Sequence, residues 1–384
     1  MKPPDRPLAW AQLSHQKIRL GVAMGGIAFA NVLIFMQLGF LTLFNAGATT
    51  FPEKLKGDLF LLEDQAKSSD AKGFERIRLY QAGAISGVKT VTPVYMRYGS
   101  FAFNKTEFSP ITRIIAYDPR AQILDLPEVT AQQSKLARPN AFLFDRIARG
   151  QLAPIVKRLE SPGILPTFLD NQRVETVGLF TLGNSMILGG EGNLITTNTT
   201  YATMFGNQIL ETVSIGILTV HSGADIQAIQ RGIRKQVPGV QVLTHQELIA
   251  KELLFQQENP TGVIFGFGAV MGFVVGIVVV YQVLYADVSD HLAEYATLKA
   301  MGYSDRSLLF VIFQESSILA VFGYVPGFGI SIWMYQLISG LTKLPLVMDP
   351  GVALTVFILT FIMCSCSALI ASGKLRSADP ADVF

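Results

Sequence analysis

The sequence predicts an α-helical membrane protein with four transmembrane helices and an α+β extracytoplasmic domain inserted between spans one and two. Three observations lead there. Half of the residues are hydrophobic and only 16% are charged, against about 25% in soluble domains. Four apolar runs, 20–44, 261–285, 308–339 and 352–371, are long enough at about 1.5 Å per residue to cross a hydrocarbon core of about 30 Å. The long segment 46–260 between the first two runs alternates strand-like and helix-like pieces instead.

The first element is a short basic segment, 1–19, with Lys2, Arg6, Lys17 and Arg19. The run after it has a basic flank and is followed by "AGA" at 46–48, the pattern of a signal peptide. Signal h-regions are only about 7–15 residues long, so the run reads as an uncleaved anchor. In the outer segment, "TRIIAYDP" (112–119) reads as a strand ending in a turn. "RVETVGLFTLG" and "NLITTNTTYATMF" read as β-rich, punctuated by Gly189, Gly190 and Gly192. "ETVSIGILTV" is a buried strand. "GADIQAIQRGIRKQVPG" is an amphipathic helix with Ile226, Ile229 and Ile233 on one face, closed by Pro238 and Gly239. "VQVLT" is a further strand, and "HQELIAKELLFQQENP" a helix leading to Pro260 and the second span. His221, Ser222 and Asp225 sit at a strand-to-helix junction, where Ser222 or the backbone caps the helix and Asp225 favours its dipole.

The spans carry patterned small residues. Gly268, Gly272 and Gly276 recur every four positions on span two, and Gly21 with Gly25 and Gly323 with Gly327 repeat the spacing. Such a stripe lets another helix backbone approach closely, although glycine is also simply commoner in membrane helices. The partner could lie in the same chain or in a second copy. Span three contains Pro326, expected to kink it, and Glu315. That carboxylate is either at the interface, hydrated or paired with a base, or a buried contact tying span three to its neighbours. The only cysteines, Cys364 and Cys366, lie in span four and read as packing.

Chemistry is sparse. A net charge of +2 without a basic run speaks against nucleic acid. There is no phosphate loop and no H-E-x-x-H pair, so no catalytic residue, bound cofactor or metal is expected. Between spans two and three lies a polar loop, 286–307, whose "SDHLAEYATLKAMGYSD" is rich in helix formers and stops at Gly302. Its apolar residues fall on two sides, Tyr295 and Leu298 against Ala293 and Ala300. The helix could therefore contact the membrane domain and a cytoplasmic protein at once, or lie among the headgroups.

"EYATLKAMGYSDRSLLFVIFQES" resembles the cytoplasmic loop and third span of ABC transporter permeases of the FtsX/MacB/LolC type. There an E-x-x-x-L-[KR]-A-x-G stretch is the coupling helix and a Glu sits in the next span. The matching positions are Glu294, Leu298, Lys299, Ala300, Gly302 and Glu315, and "LRSADPADVF" is similar to the family's terminal D-P-A-x-x-[LF]. "DVSDHLAEYATLKAMGY" and "EGNLITTN" are closer to the cyanobacterial DevC branch, associated with glycolipid exporters. The resemblance implies a non-catalytic permease subunit in the bacterial inner membrane, with a large periplasmic domain. Glu294, Tyr295, Leu298, Lys299, Met301 and Gly302 would couple it to a separate ABC ATPase that uses ATP and Mg. Further implied partners are a second copy, a periplasmic membrane-fusion adaptor and a TolC-like outer-membrane duct. Tyr295 and Ala296 replace the family's common Ile-Gly, which implies a dedicated ATPase. The alternative is an FtsX-like regulator of periplasmic cell-wall hydrolases.

Orientation follows from the short basic segments. Arginines and lysines cluster in 1–19, in the 286–307 loop (Lys299, Arg306) and in the tail 372–384 (Lys374, Arg376), while the loop after span three has only Lys343. Both termini and the 286–307 loop are therefore expected in the cytoplasm. In a background without Cys364 and Cys366, Ser134→Cys should label from outside intact spheroplasts and Ser304→Cys should not. Labelling of Ser304→Cys from outside would reverse the topology.

Overall fold

The structure is a computed structural model. It describes residues 17–103, 110–148, 152–160, 163–183, 192–292, 294, 297, 299, 301, 304–342 and 344–376. It divides into two compact units, one of residues 1–42 with 261–384 and one of residues 43–260.

Among the described residues the first unit holds four helices of spanning length and apolarity. They are α1 (Lys17–Glu53), whose residues up to 42 belong here, and further on in the chain Pro260–Asp290, Asp305–Thr342 and Pro350–Arg376. Each runs past the ends of its apolar run, because helix propagation continues wherever the backbone can keep its i→i−4 bonds. Asn259, in an extended conformation, breaks the chain before Pro260, as expected for a residue preceding proline. The helix of span three stays continuous through Pro326.

The second unit is built on a mixed sheet. In chain order its strands are β1 (Leu59–Glu63), β2 (Phe74–Glu75), β3 (Val88–Ala102), β4 (Ile111–Tyr117), β5 (Ala141–Asp145), β6 (Leu165–Leu169), β7 (Gln172–Phe180), β8 (Asn193–Thr197), β9 (Thr212–Val213), β10 (Ile215–Val220) and β11 (Val240–Leu243). Among the described residues nine strands join in the order β11-β1-β10-β3-β4-β8-β5-β7-β6, and β6 returns to pair with β3. Six strands thus form a closed ring, which leaves no free edge within it. The pairings β4–β8 and β5–β7 are parallel and the others antiparallel.

β3 makes this possible. Its first half pairs with β10 up to Val94 and its second half with β4 from Tyr95. Pro93, opposite Gly216, sits just before the exchange, where a missing N–H costs least because only one side of the strand is paired. Alternate residues of the strands feed two cores. Phe101, Ile114, Phe142, Phe144 and Leu194 enter one, and Ile115, Tyr117, Leu143, Ile195 and Phe60 the other. Both sheet faces are covered, so the strands read as continuous apolar runs.

Two helices follow the sequence closely. Ile226–Gln236 buries Ile229 and Ile233, and His245–Glu258 starts with a capping box between Thr244 and Glu247. Asp225, rather than Ser222, caps the former, accepting from the N–H groups of Gln227 (2.9 Å) and Ala228 (3.1 Å). One reading is corrected. "NLITTNTTYATMF" is a strand only to Thr197, and Asn198–Phe205 is a helix capped by the Thr197 hydroxyl, which accepts from Thr200 N–H at 3.1 Å. A cap at Thr197 and burial of Tyr201 and Met204 outweigh the β preference of threonine. Of the glycines expected as punctuation, Gly189 and Gly190 lie outside the described residues.

A polar chain crosses this domain. The buried Arg113 guanidinium pairs with Asp70 at 3.4 Å and donates through Nε to Asn193 Oδ1 at 3.0 Å. Asn193 in turn donates to Asp145 at 2.7 Å. Burial pushes the Asp145 carboxyl up, against the hydrogen bonds from Asn193, Ile147 and Leu182. Nearby, Glu252 is 5% exposed and accepts from Ser69 N–H. Burial pushes its carboxyl up to about 7; the Ser69 bonds and Arg113 oppose the shift, and Asp70 adds to it.

A carboxyl raised from 4.5 to about 7 keeps its proton in the folded state where the unfolded chain loses it. Its contribution is therefore full below pH about 4.5 and is lost as pH rises through about 7, on the order of 3 kcal/mol in all. Glu252→Gln should remove that slope. Relative to the parent protein, its thermal midpoint should rise between pH 5 and pH 8. Parallel pH curves would refute the buried, protonated Glu252.

Candidate functional site

The loop between spans two and three is helical at Leu292, Glu294, Thr297 and Lys299. The Met301 N–H donates to Thr297 O at 3.0 Å, continuing the helical bonding pattern. Glu294, Thr297 and Met301 are exposed, and their i, i+3, i+7 spacing places them on one face. Met301 is 63% exposed, a large apolar side chain on a polar segment, and Lys299 is half-buried. Tyr295, Leu298 and Gly302 lie outside the described residues, as do Ala293 and Ala300. Before the loop, Asp287 is buried, and the helix of span two continues to Asp290. After it, Ser304 opens span three, its hydroxyl accepting from Ser307 N–H at 3.3 Å.

Behind the loop, the spans close around the first. A Cβ added at Gly268 would stand 2.5–2.7 Å from the Gln37 amide group, and one at Gly272 would stand 3.1 Å from Ile34 Cγ1 and 3.4 Å from Leu33 Cβ. At Gly276 it would strike Met363 Sδ and stand 3.1 Å from Ala30 Cβ. The glycine face of span two is thus filled from within the chain, by span one and Met363 of span four. Span three does the same with Gly323 against Ile27 and Gly327 against Ala28 and Asn31. At Gly327 the neighbours include backbone, Ala28 O at 3.1 Å and Ala28 Cα at 3.2 Å. Gly21 and Gly25 differ, with no atom within 4 Å. They line an apolar groove of about 420 Å³ with Met24, Phe29, Pro326 and Ile330.

Polar groups reinforce these contacts. Thr360 of span four donates to the Asn31 Oδ1 of span one at 2.7 Å, and Ser367 to Ile277 O of span two at 2.9 Å. Tyr324 donates to Ala353 O at 3.0 Å, and Tyr335 to Phe35 O. Interhelical bonds of this kind average about 0.6 kcal/mol in membranes. Glu315 is 1% exposed, between Ile312 and Leu319 on the buried face of span three. It is therefore buried within the chain rather than hydrated. Both cysteines are free. Asn31, Thr360 and Asp287 were not singled out from the sequence, although an amide inside an apolar run was a visible signal at Asn31.

Among the described residues there is no group of three or more His, Cys, Asp or Glu side chains placed to hold a metal.

Because Gly327 faces backbone, Gly327→Val should overpack the bundle and cost about 1–3 kcal/mol, while Gly329→Ala, with open space around it, should cost nothing. Thermal unfolding of the two variants in detergent checks this; equal midpoints would contradict the packing.

Residues 266–380 match the family described as FtsX-like permease C-terminal. No curated protein matches the sequence. Among solved structures, the chain is similar to the extracellular domain of the noncanonic ABC-type transporter YknZ from Gram-positive bacteria. The identity is 14% and the TM-score 0.35, covering 49% of this chain and 99% of that one. It is also similar to the periplasmic region of MacB from Actinobacillus actinomycetemcomitans, at 9% identity and TM-score 0.36, covering 50% of this chain and 91% of that one. By its sequence, the C-terminal part of the chain, residues 266–380, carries the pattern of an FtsX-like permease domain.

Proposed function

We propose that the chain is the permease subunit of an ATP-driven ABC exporter in a bacterial inner membrane, working as a transmitter of motion. The observation that carries this reading is the exposed face of Glu294, Thr297 and Met301 on a short helical loop inside the matched segment. An apolar side chain left uncovered beside a carboxylate suits a docking surface better than a plain turn. The occupant is a separate ABC ATPase, which binds and spends ATP with Mg. Its motion passes through the buried face of span three, where Glu315 lies, and on through span one.

The second copy packs through the Gly21 and Gly25 groove, since the face of Gly268, Gly272 and Gly276 is occupied within the chain. With those faces filled, a bulky cargo does not pass through the bundle of one chain. The cargo, a glycolipid or another amphiphile as in the DevC branch, is handed over outside the membrane. The 43–260 domain engages a periplasmic adaptor there, joined to a TolC-like outer-membrane duct.

Glu294→Lys combined with Met301→Ala should leave membrane insertion intact and lower ATPase co-purification and export by about tenfold or more, the usual cost of losing an interface anchor. Wild-type recovery of the ATPase with this variant would remove the coupling role.

A further inference from the structure

The outer domain contains a cavity of about 470 Å³, within the range of small-molecule sites. Its wall comes from several separate parts of the chain, one of them the 67–71 segment with Lys67 and Asp70. Gly47 and Ala48 belong to the last turns of α1, Tyr98 and Arg113 to β3 and β4, and Glu252, Phe255 and Gln256 to the helix His245–Glu258. Three polar side chains that border it are more than nine-tenths buried: Arg113 at 4%, Glu252 at 5% and Gln256 at 6% exposure. The Gln256 Nε2 makes no hydrogen bond. An orphan buried donor is destabilising, so one at a cavity wall calls for a physical explanation.

The lining also sets the charge of the occupant. Arg113 is positive, Asp70 is its negative partner at 3.4 Å, and the Tyr98 hydroxyl donates to Asp70 at 3.0 Å. Glu252 is a second carboxyl beside them. Lys67, also in the lining, is paired with Glu258 at 3.1 Å, so the cations of the lining are each offset by a carboxylate and neither sign is selected. What remains is a neutral ligand that offers many hydroxyls. Planar carboxyl and amide groups can each bridge two neighbouring hydroxyls, and the rings of Tyr98 and Phe255 provide apolar faces for the C–H side of a sugar ring. We propose that this cavity is a carbohydrate-binding site, taking an uncharged sugar of one or two rings between Arg113, Glu252 and Gln256. A hydroxyl oxygen that draws the Gln256 amide round by side-chain rotation would supply its missing acceptor. The site rests on the cavity's own chemistry and stands whether or not the chain is an exporter.

The sugar could be free or the headgroup of a lipid, and the test separates the two. Full-length protein purified in lauryldimethylamine oxide, which carries no sugar, is titrated with maltose and separately with dodecyl maltoside. Native mass spectrometry reads the occupancy. One saturable adduct is expected. Gln256→Leu and Glu252→Leu should each weaken it about tenfold, and Ala48→Phe should abolish it by filling the cavity. The thermal midpoint of Gln256→Leu should be no lower than that of the parent, because the orphan donor is gone; a purely structural glutamine would lower it. Binding of maltose alone would support a free sugar, and binding of dodecyl maltoside only would support a lipid headgroup. The proposal fails if neither probe binds, or if binding ignores all three variants. It also fails if dodecylphosphocholine binds equally well with the same dependence on Gln256 and Glu252.

Discussion

The membrane unit depends on how closely span one is approached by its neighbours. Without a hydrophobic drive between helices inside lipid, association rests on van der Waals contact and a few hydrogen bonds, and both need short distances. Gly272 and Gly276 of span two and Gly323 and Gly327 of span three provide them, each set against a different part of span one between Ile27 and Ile34. Ile27, Ala30, Asn31, Ile34 and Phe35 are accordingly fully buried. Asn31 is the polar counterpart of this packing. Its carbonyl accepts from Thr360, so span four is held to span one by chemistry as span three is by shape. A side chain placed at Gly327 would push on the Ala28 backbone, which cannot rotate away, and the contact around Asn31 would open with it.

The 43–260 domain solves a different problem. It holds no disulfide, so its stability comes from the two apolar cores on either side of the sheet. The closed ring of six strands keeps edges covered, and the polar chain from Asp70 through Arg113 and Asn193 to Asp145 passes between them. In a medium of low dielectric such a chain is favourable only when its members satisfy one another. Outside that chain, the buried Gln256 Nε2 has no hydrogen-bond partner, and it stands at the cavity beside Glu252. Strain of this kind, beside an open volume, is where a binding function is economically placed.

Much of this was legible in the sequence. The spans appear as apolar runs because nothing but hydropathy and length decides them, and the four-residue spacing of Gly268, Gly272 and Gly276 announced a packing face. The sequence could not say which helix met that face, since the contact with Ile34 and Met363 depends on the order of helices in space. The helix Ile226–Gln236 was visible from its isoleucines. Asn198–Phe205 was not, because its threonines favour strands and only the cap at Thr197 and the burial of Tyr201 reverse them. β3 was hidden for the opposite reason. Pro93 argues against a central strand, and the exchange of partners that tolerates it is a property of the sheet. The cavity residues Arg113, Glu252 and Gln256 are far apart in the chain and share no motif. Glu294 and Met301, proposed as coupling residues, stood out early because charge and apolar surface are adjacent on a short loop.

The central claim is that the glycine face of span two is satisfied inside one chain by span one. Leu33→Cys paired with Gly272→Cys, in a protein without Cys364 and Cys366, tests it most directly. A Cβ at Gly272 lies 3.4 Å from Leu33 Cβ, close to the spacing of about 3.5–4.5 Å that a disulfide requires. Mild oxidation of the membrane-embedded protein should give an efficient link that leaves the chain migrating as a monomer on a non-reducing gel. A covalent dimer through Gly272→Cys, with no intrachain link, would contradict the account.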